Sequence, residues 1–246
     1  MHATTSSRPA PAPDRLLAAA IAVCGFLAVV DLSSWFEVPM GGALRPLALL
    51  LITLHAWRRP SLDADRRRWV LAALGTSVIG ECLLAFPSAL VPALCVFSLA
   101  QGCYLRAMVG RRLALAPIGP VHLVHAAAVA WALSLWSVKP ASHFVPVMVF
   151  MGLLGLVSTQ ADTWWWRVRG TAEAAVARRA AVGALLWMLA DLIWTFALLV
   201  AWIPEAPTIV STLYLFAQWS LASMIGSRDN AGLAVVAPGC APAGRL

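Results

Sequence analysis

From residue 16 onward the chain is a succession of apolar runs separated by short polar stretches. The runs fall at roughly 16–36, 43–57, 69–86, 89–109, 113–136, 143–166, 176–202 and 206–226. A hydrocarbon layer of about 30 Å needs about 20 helical residues to cross it. The pattern therefore predicts an all-α fold, a polytopic membrane bundle of about eight transmembrane helices over residues 15–227. The second and third runs are short, so their boundaries are soft. Residues 1–14, rich in Pro, Ala, Ser and Thr, read as a disordered tail, and residues 228–246 as a flexible, Gly- and Pro-containing one.

Composition agrees with this reading. The chain is 61% apolar and 12% charged, with a mean hydropathy of +0.81. A soluble domain of this size is about half apolar and a quarter charged. There is too little polar surface to cover a globule in water, so lipid is the outer solvent. The net charge of +7 raises nucleic acid as a partner. That partner is excluded because the basic residues sit in short loops and form no stripe on a soluble face. Seventeen Arg against one Lys reflects genome composition. Cys24, Cys82, Cys95, Cys103 and Cys240 form no Cys-x-x-Cys pair and are expected to be small buried thiols.

The charge distribution sets an orientation, since Lys and Arg concentrate on the cytoplasmic side of membrane proteins. With the N-terminus inside, the inner segments hold sixteen basic residues, and the outer ones hold only Arg45 and Lys139. The expectation is a multi-pass protein of the bacterial inner membrane with both termini in the cytoplasm. Arg15 before an Ala/Leu run also fits a signal peptide, but the run is long and no small-x-small cleavage site follows, so it is read as the first span.

An internal echo connects two parts of the chain. The third run carries Gly80-Glu81-Cys82-Leu83-Leu84-Ala85-Phe86 and the seventh Ala190-Asp191-Leu192-Ile193-Trp194-Thr195-Phe196. Each reads small residue, acid, then Phe five positions after the acid. The fourth and eighth runs carry Ala100-Gln101 and Ala217-Gln218. Each of two helix pairs thus offers an acid and then a Gln, in the same direction across the membrane, as two repeated four-helix units would.

Ionisable groups within the hydrocarbon region are costly and mark functional sites. Asp31, Glu81 and Asp191 lie inside runs. Asp162 sits beside Trp164, Trp165 and Trp166, which resemble an interfacial belt. Asp31, with Ser33 and Ser34 nearby, is the weaker candidate. Trp187, Trp194 and Thr195 share the face of Asp191 by helical spacing, and Ser77 shares that of Glu81. Glu81 and Asp191 are therefore expected to face one polar cavity. Gln101 and Gln218 are candidates to line it, with Tyr104 and Tyr214, the two tyrosines of the chain, one turn away on the same faces. Interhelical hydrogen bonding explains these four residues equally well. His122 and His125 have the spacing of a ligand pair, but no further ligand stands out, so no metal and no cofactor is expected.

The segments Ala73-Leu74-Gly75 to Gly80-Glu81-x-x-Leu84, Gln101-x-x-Tyr104, Gly183-Ala184-Leu185-Leu186 to Ala190-Asp191-Leu192, and Tyr214-Leu215-Phe216-Ala217-Gln218 resemble the motifs of the YhhN-like family, the lysoplasmalogenases. Arg45-Pro46 stands where that family has a Lys-Pro. The resemblance spans residues 43–226. It implies an eight-helix membrane hydrolase that cleaves the vinyl ether of a lysophospholipid, the lysoplasmalogen, to a fatty aldehyde and a glycerophospho-alcohol. Glu81 and Asp191 would be the catalytic pair. Arg45, Gln101, Tyr104, Tyr214 and Gln218 would contact substrate, with its phosphate near Arg45 or another interfacial Arg. Three positions depart from the family pattern: Glu81 for Asp, Gln101 for His and Arg45 for Lys. The first lengthens the carboxylate arm and the second removes a titratable group. Membrane lipids are the surrounding partners, and the sequence leaves the oligomeric state open. A proton-coupled transporter using the two acids as proton carriers, and an inactive lipid-binding protein, are the alternatives.

Overall fold

The computed structural model describes residues 21–22, 41–61, 63–109, 120–201 and 203–225. Among the described residues there are seven α-helices and no strand: α1 (Gly41–Arg58), α2 (Ala64–Leu84), α3 (Leu90–Val109), α4 (Pro120–Trp136), α5 (Ala141–Arg167), α6 (Ala174–Leu199) and α7 (Ala206–Ala222). These correspond to the second through eighth apolar runs. Of the first run only Ile21 and Ala22 are described, as helix, so the first span and Asp31 lie outside the described residues, as do the tails. By length and apolar composition α3, α5 and α6 suffice to cross a bilayer, and α4 is a shorter apolar helix. Against the expected eight spans, the described residues give seven helices, three of them long and apolar enough to cross a bilayer.

Local chemistry sets several boundaries. Asp63 caps α2 by accepting the backbone N–H of Arg66 at 3.0 Å, which satisfies one of the unpaired donors of a helix start. Past α2 the chain makes a 3₁₀ turn at Pro87–Ala89 and enters α3. Pro207 occupies the first turn of α7, where a missing N–H costs nothing.

The helices close into a ring in the order α1, α2, α3, α5, α6, α7, with α1 completing it against α7. Helix α4 packs outside, against α5 and α6. Close approaches depend on small residues, as in other membrane bundles. A Cβ on Gly183 would stand 2.9 Å from the backbone oxygen of Ala217 in α7, and one on Gly80 would stand 2.8 Å from the Phe97 ring in α3. Leu49, Leu74, Leu154, Trp187 and Leu221 fill the interior, while Leu50, Ile79, Leu99, Leu123, Leu185 and Phe216 point outward. An apolar outer surface of this kind suits lipid and not water. It also corrects the expectation for the thiols: Cys82 and Cys95 are exposed on the outside of the bundle and Cys103 is half-buried. A small apolar thiol is as well solvated by lipid as by a protein core, so apolar context alone did not imply burial.

One end of the ring gathers arginine and tryptophan. The guanidinium of Arg66 lies 4.9 Å from the Trp164 ring centre, that of Arg106 5.5 Å from Trp69, and that of Arg59 5.9 Å from Trp219. Arg106 also meets Asp65 at 3.5 Å. The two candidate acids belong to the other half of the bundle.

Candidate active site

Glu81 lies in the last turn of α2, three residues before its end. Gly80 beside it has no side chain, which lets the Phe97 ring of α3 close against α2. Across from it, Arg45 in the second turn of α1 donates from Nη2 to Glu81 Oε1 at 3.0 Å. Glu81 is 3% exposed. The Arg45 side chain is 27% exposed, and its guanidinium also lies 5.8 Å from the centre of the Tyr214 ring. A buried carboxylate requires such a partner, because burying an unpaired charge is prohibitive.

Asp191 lies two turns before the end of α6. Its Oδ2 is buried and has no hydrogen-bond partner among the described residues. It is close enough to Glu81, Arg45 and Trp187 to interact with all three. A cavity of about 310 Å³ joins these groups. Arg45, Glu81 and Asp191 supply its charge, and Phe97, Trp136, Phe150, Trp187 and Tyr214 supply most of its aromatic wall. Leu84, Leu90, Leu94, Val147 and Leu198 extend the apolar lining. Trp136 donates its indole N–H to Thr195 Oγ1 at 3.4 Å, which ties α4 to α6 beside the cavity. The structure thus brings together two acids that are 110 positions apart in sequence.

The other expected site residues divide. Arg45 and Tyr214 border the cavity. Gln101, Tyr104 and Gln218 do not. They are wholly buried deeper in the bundle, where the Tyr104 hydroxyl donates to Gln218 Oε1 at 2.8 Å. The cavity lining on α3 reaches Phe97, and Gln101 lies one turn further in, which takes the amide out of the wall. His125 meets Asp162 at 3.4 Å between α4 and α5. Among the described residues no group of three or more His, Cys, Asp or Glu comes together to hold a metal ion.

The Arg45–Glu81 pair was not foreseen, nor were Phe97, Trp136 and Phe150 as walls. Arg45 is one of two cations on its side of the charge pattern, which was the one available hint. A partner 36 positions away has no helical spacing to announce it.

In comparison with known proteins, the chain matches the YhhN family over residues 42–225, a span that includes every candidate site residue named above except Asp31. It is 29% identical over 179 residues to the uncharacterized membrane protein YhhN of Escherichia coli O6:H1, and equally to those of Escherichia coli O157:H7 and Shigella flexneri. The aligned part covers 69% of this chain and 82% of each relative. No solved structure matches it.

Proposed function

The chain belongs to the YhhN family of membrane proteins, and from that premise and the chemistry of its cavity we propose that it is a membrane hydrolase which cleaves the vinyl ether bond of lysoplasmalogens. The observation that carries this reading is the pairing of two carboxyl groups with a single guanidinium in an otherwise apolar cavity. Cleavage of a vinyl ether needs an acid to protonate carbon and a carboxylate to stabilise the cation and accept a proton from water, the division of labour two carboxyls perform in glycosidases.

In this reading the two acids take different roles. One cation compensates one carboxylate, and Arg45 is bonded to Glu81. Asp191, to which no cation is bonded, is the proton donor. Its proton goes to the vinyl carbon distal to the ether oxygen, leaving an oxocarbenium ion beside Glu81. Water adds to the carbon bearing the oxygen and passes a proton to Glu81. The hemiacetal hydroxyl then returns a proton to Asp191, the carbon–oxygen bond to glycerol breaks, and the glycerol oxygen takes the proton held by Glu81. One water is consumed, a fatty aldehyde and a glycerophospho-alcohol leave, and both acids regain their starting states. The apolar walls suit the hydrocarbon chain, and the exposed part of Arg45 suits the phosphate.

The same reading includes eight spans in two repeated four-helix units, an inner-membrane location, and both termini in the cytoplasm. The sixteen-to-two division of basic residues supports that orientation. Reporter fusions at residue 246 and near residue 63 are expected to report cytoplasm, and a periplasmic result from either overturns it. The test of the chemistry is aldehyde release from a lysoplasmalogen by detergent-purified protein without any ion gradient. Binding without release would instead mark a lipid-binding protein.

A further inference from the structure

Beneath the cavity the bundle buries more polar atoms than its own hydrogen bonds satisfy. Both amide atoms of Gln101 and the Gln218 amide nitrogen are buried with no hydrogen-bond partner among the described residues, while the buried Ser77 hydroxyl lies beside that of Tyr214, and Tyr214 beside Glu81. Three helices contribute them: α2, α3 and α7. Ser77 and Glu81 are four residues apart, as are Tyr214 and Gln218, so each pair stacks on one helix face. At 1.5 Å per residue from the cavity-side end of each helix, Glu81 lies about 5 Å in, Ser77 and Tyr214 about 10–12 Å, and Gln101 and Gln218 about 16–18 Å. These groups form a column that starts at the Glu81 carboxylate and runs past the midpoint of the bundle to within about one turn of the far end of α7.

Unpaired amides enclosed by apolar side chains are unfavourable, because those side chains have no donor or acceptor to offer them. Buried polar groups nearly always find partners, and where the protein supplies none, bound water does. We infer that this column is a water-binding cleft, held by Ser77, Gln101, Tyr214 and Gln218, that delivers water to Glu81 from beneath the cavity. Its use in catalysis rests on the hydrolase reading, whereas its hydration does not. A single-chain lipid lying in the apolar cavity shuts out bulk water from the mouth. Hydrolysis nevertheless consumes one water per turnover, and the column opens on the carboxylate that would take the proton from it.

Radiolytic footprinting tests this, with hydroxyl radicals generated from water bound to the full-length protein in detergent and the oxidised residues read by mass spectrometry. Tyr104 is the reporter, because it is 0% exposed and does not line the cavity. Its hydroxyl nevertheless reaches Gln218. Oxidation of Tyr104 in the wild type, reduced several-fold in Gln101→Leu, is the expected result. If Gln101→Leu fails to insert, Ser77→Ala carries the same comparison. An unmodified Tyr104 means a dry column and overturns the inference. The variant that loses the labelling is also expected to show a several-fold lower kcat for aldehyde release with KM unchanged. An unchanged kcat there overturns the delivery role. A wild-type protein that releases no aldehyde from any lysolipid removes the hydrolase reading, and Tyr104 labelling still decides whether the column holds water.

Discussion

Glu81 and Asp191 occupy echoing sequence contexts and one cavity, yet they are held in different ways. Glu81 sits in the last turn of its helix and is bonded to a guanidinium from α1. Asp191 sits two turns deep in α6, with Trp187 of the same helix beside it and no bonded cation. The glycines behave more alike: Gly80 admits a ring of α3 and Gly183 admits the backbone of α7. The contrast shows that similar local sequence around an acid does not specify its electrostatic partner. Arg45 comes from a helix outside either acid–glutamine pair. Two acids that look equivalent in sequence are thereby made unequal, as acid–base catalysis requires.

The sharpest way to break the comparison is Asp191→Asn. Asn keeps the volume and hydrogen bonding but cannot donate the proton, so aldehyde release should fall at least about 10²-fold, the usual scale of a general acid. Thermal unfolding should move little, because interhelical hydrogen bonds in membranes are worth only about 0.6–2 kcal/mol. Near-wild-type rates in a folded variant would end the catalytic assignment.

Glu81→Gln should cost a similar factor in rate and, unlike Asp191→Asn, should also destabilise. It leaves Arg45 without its anion, a loss of about 1–3 kcal/mol visible as a lower midpoint in a thermal melt. Glu81→Asp should retain part of the activity, since the carboxylate survives on a shorter arm. Equal melting curves for Glu81→Gln and Asp191→Asn would erase the distinction between the two acids.

Arg45→Met removes the cation alone. The expected loss is about tenfold in kcat/KM, equivalent to about 1.4 kcal/mol of transition-state stabilisation, and Arg45→Lys should recover most of it. A wild-type rate in Arg45→Met would show that the ion pair is structural. The smallest effect on activity is expected from changes in packing, which are read as stability. Gly80→Ala and Gly183→Ala each force a Cβ within 3.0 Å of a neighbour, against an open space at Gly75. The first two should lose about 1–3 kcal/mol, the usual cost of overpacking, as a lower midpoint in chemical denaturation, with Gly75→Ala unchanged as the control. A shift at Gly75 equal to that at Gly80 would remove the role assigned to close approach.

Much of the fold was legible because the signal is one-dimensional. The seven described helices fall on seven of the apolar runs, with boundaries displaced by a few residues where polar first turns such as Asp65-Arg66-Arg67-Arg68 belong to the helix but not to the apolar run. The candidate acids were legible for the same reason, since a carboxyl in an apolar run is conspicuous by its cost. What was illegible is which helix faces which. Gln101 and Gln218 were expected in the cavity wall and lie beneath it, because depth along α3 and α7 relative to Phe97 and Tyr214 is a matter of packing.

The sequence by itself determined that lipid is the outer solvent, that the chain is a multi-pass helical bundle, and that two acids, a pair of glutamines and a pair of tyrosines lie within its helices. Each of those follows from composition and spacing along a single helix, where 3.6 residues per turn fix neighbours. Only the tertiary structure decided that α1 closes the ring against α7, that Arg45 pairs with Glu81 and not with Asp191, and that Tyr104 binds Gln218 across 114 positions. Those contacts depend on which small residues allow two helices to approach and how far one helix slides past another, and neither quantity is written in the periodicity of any one segment.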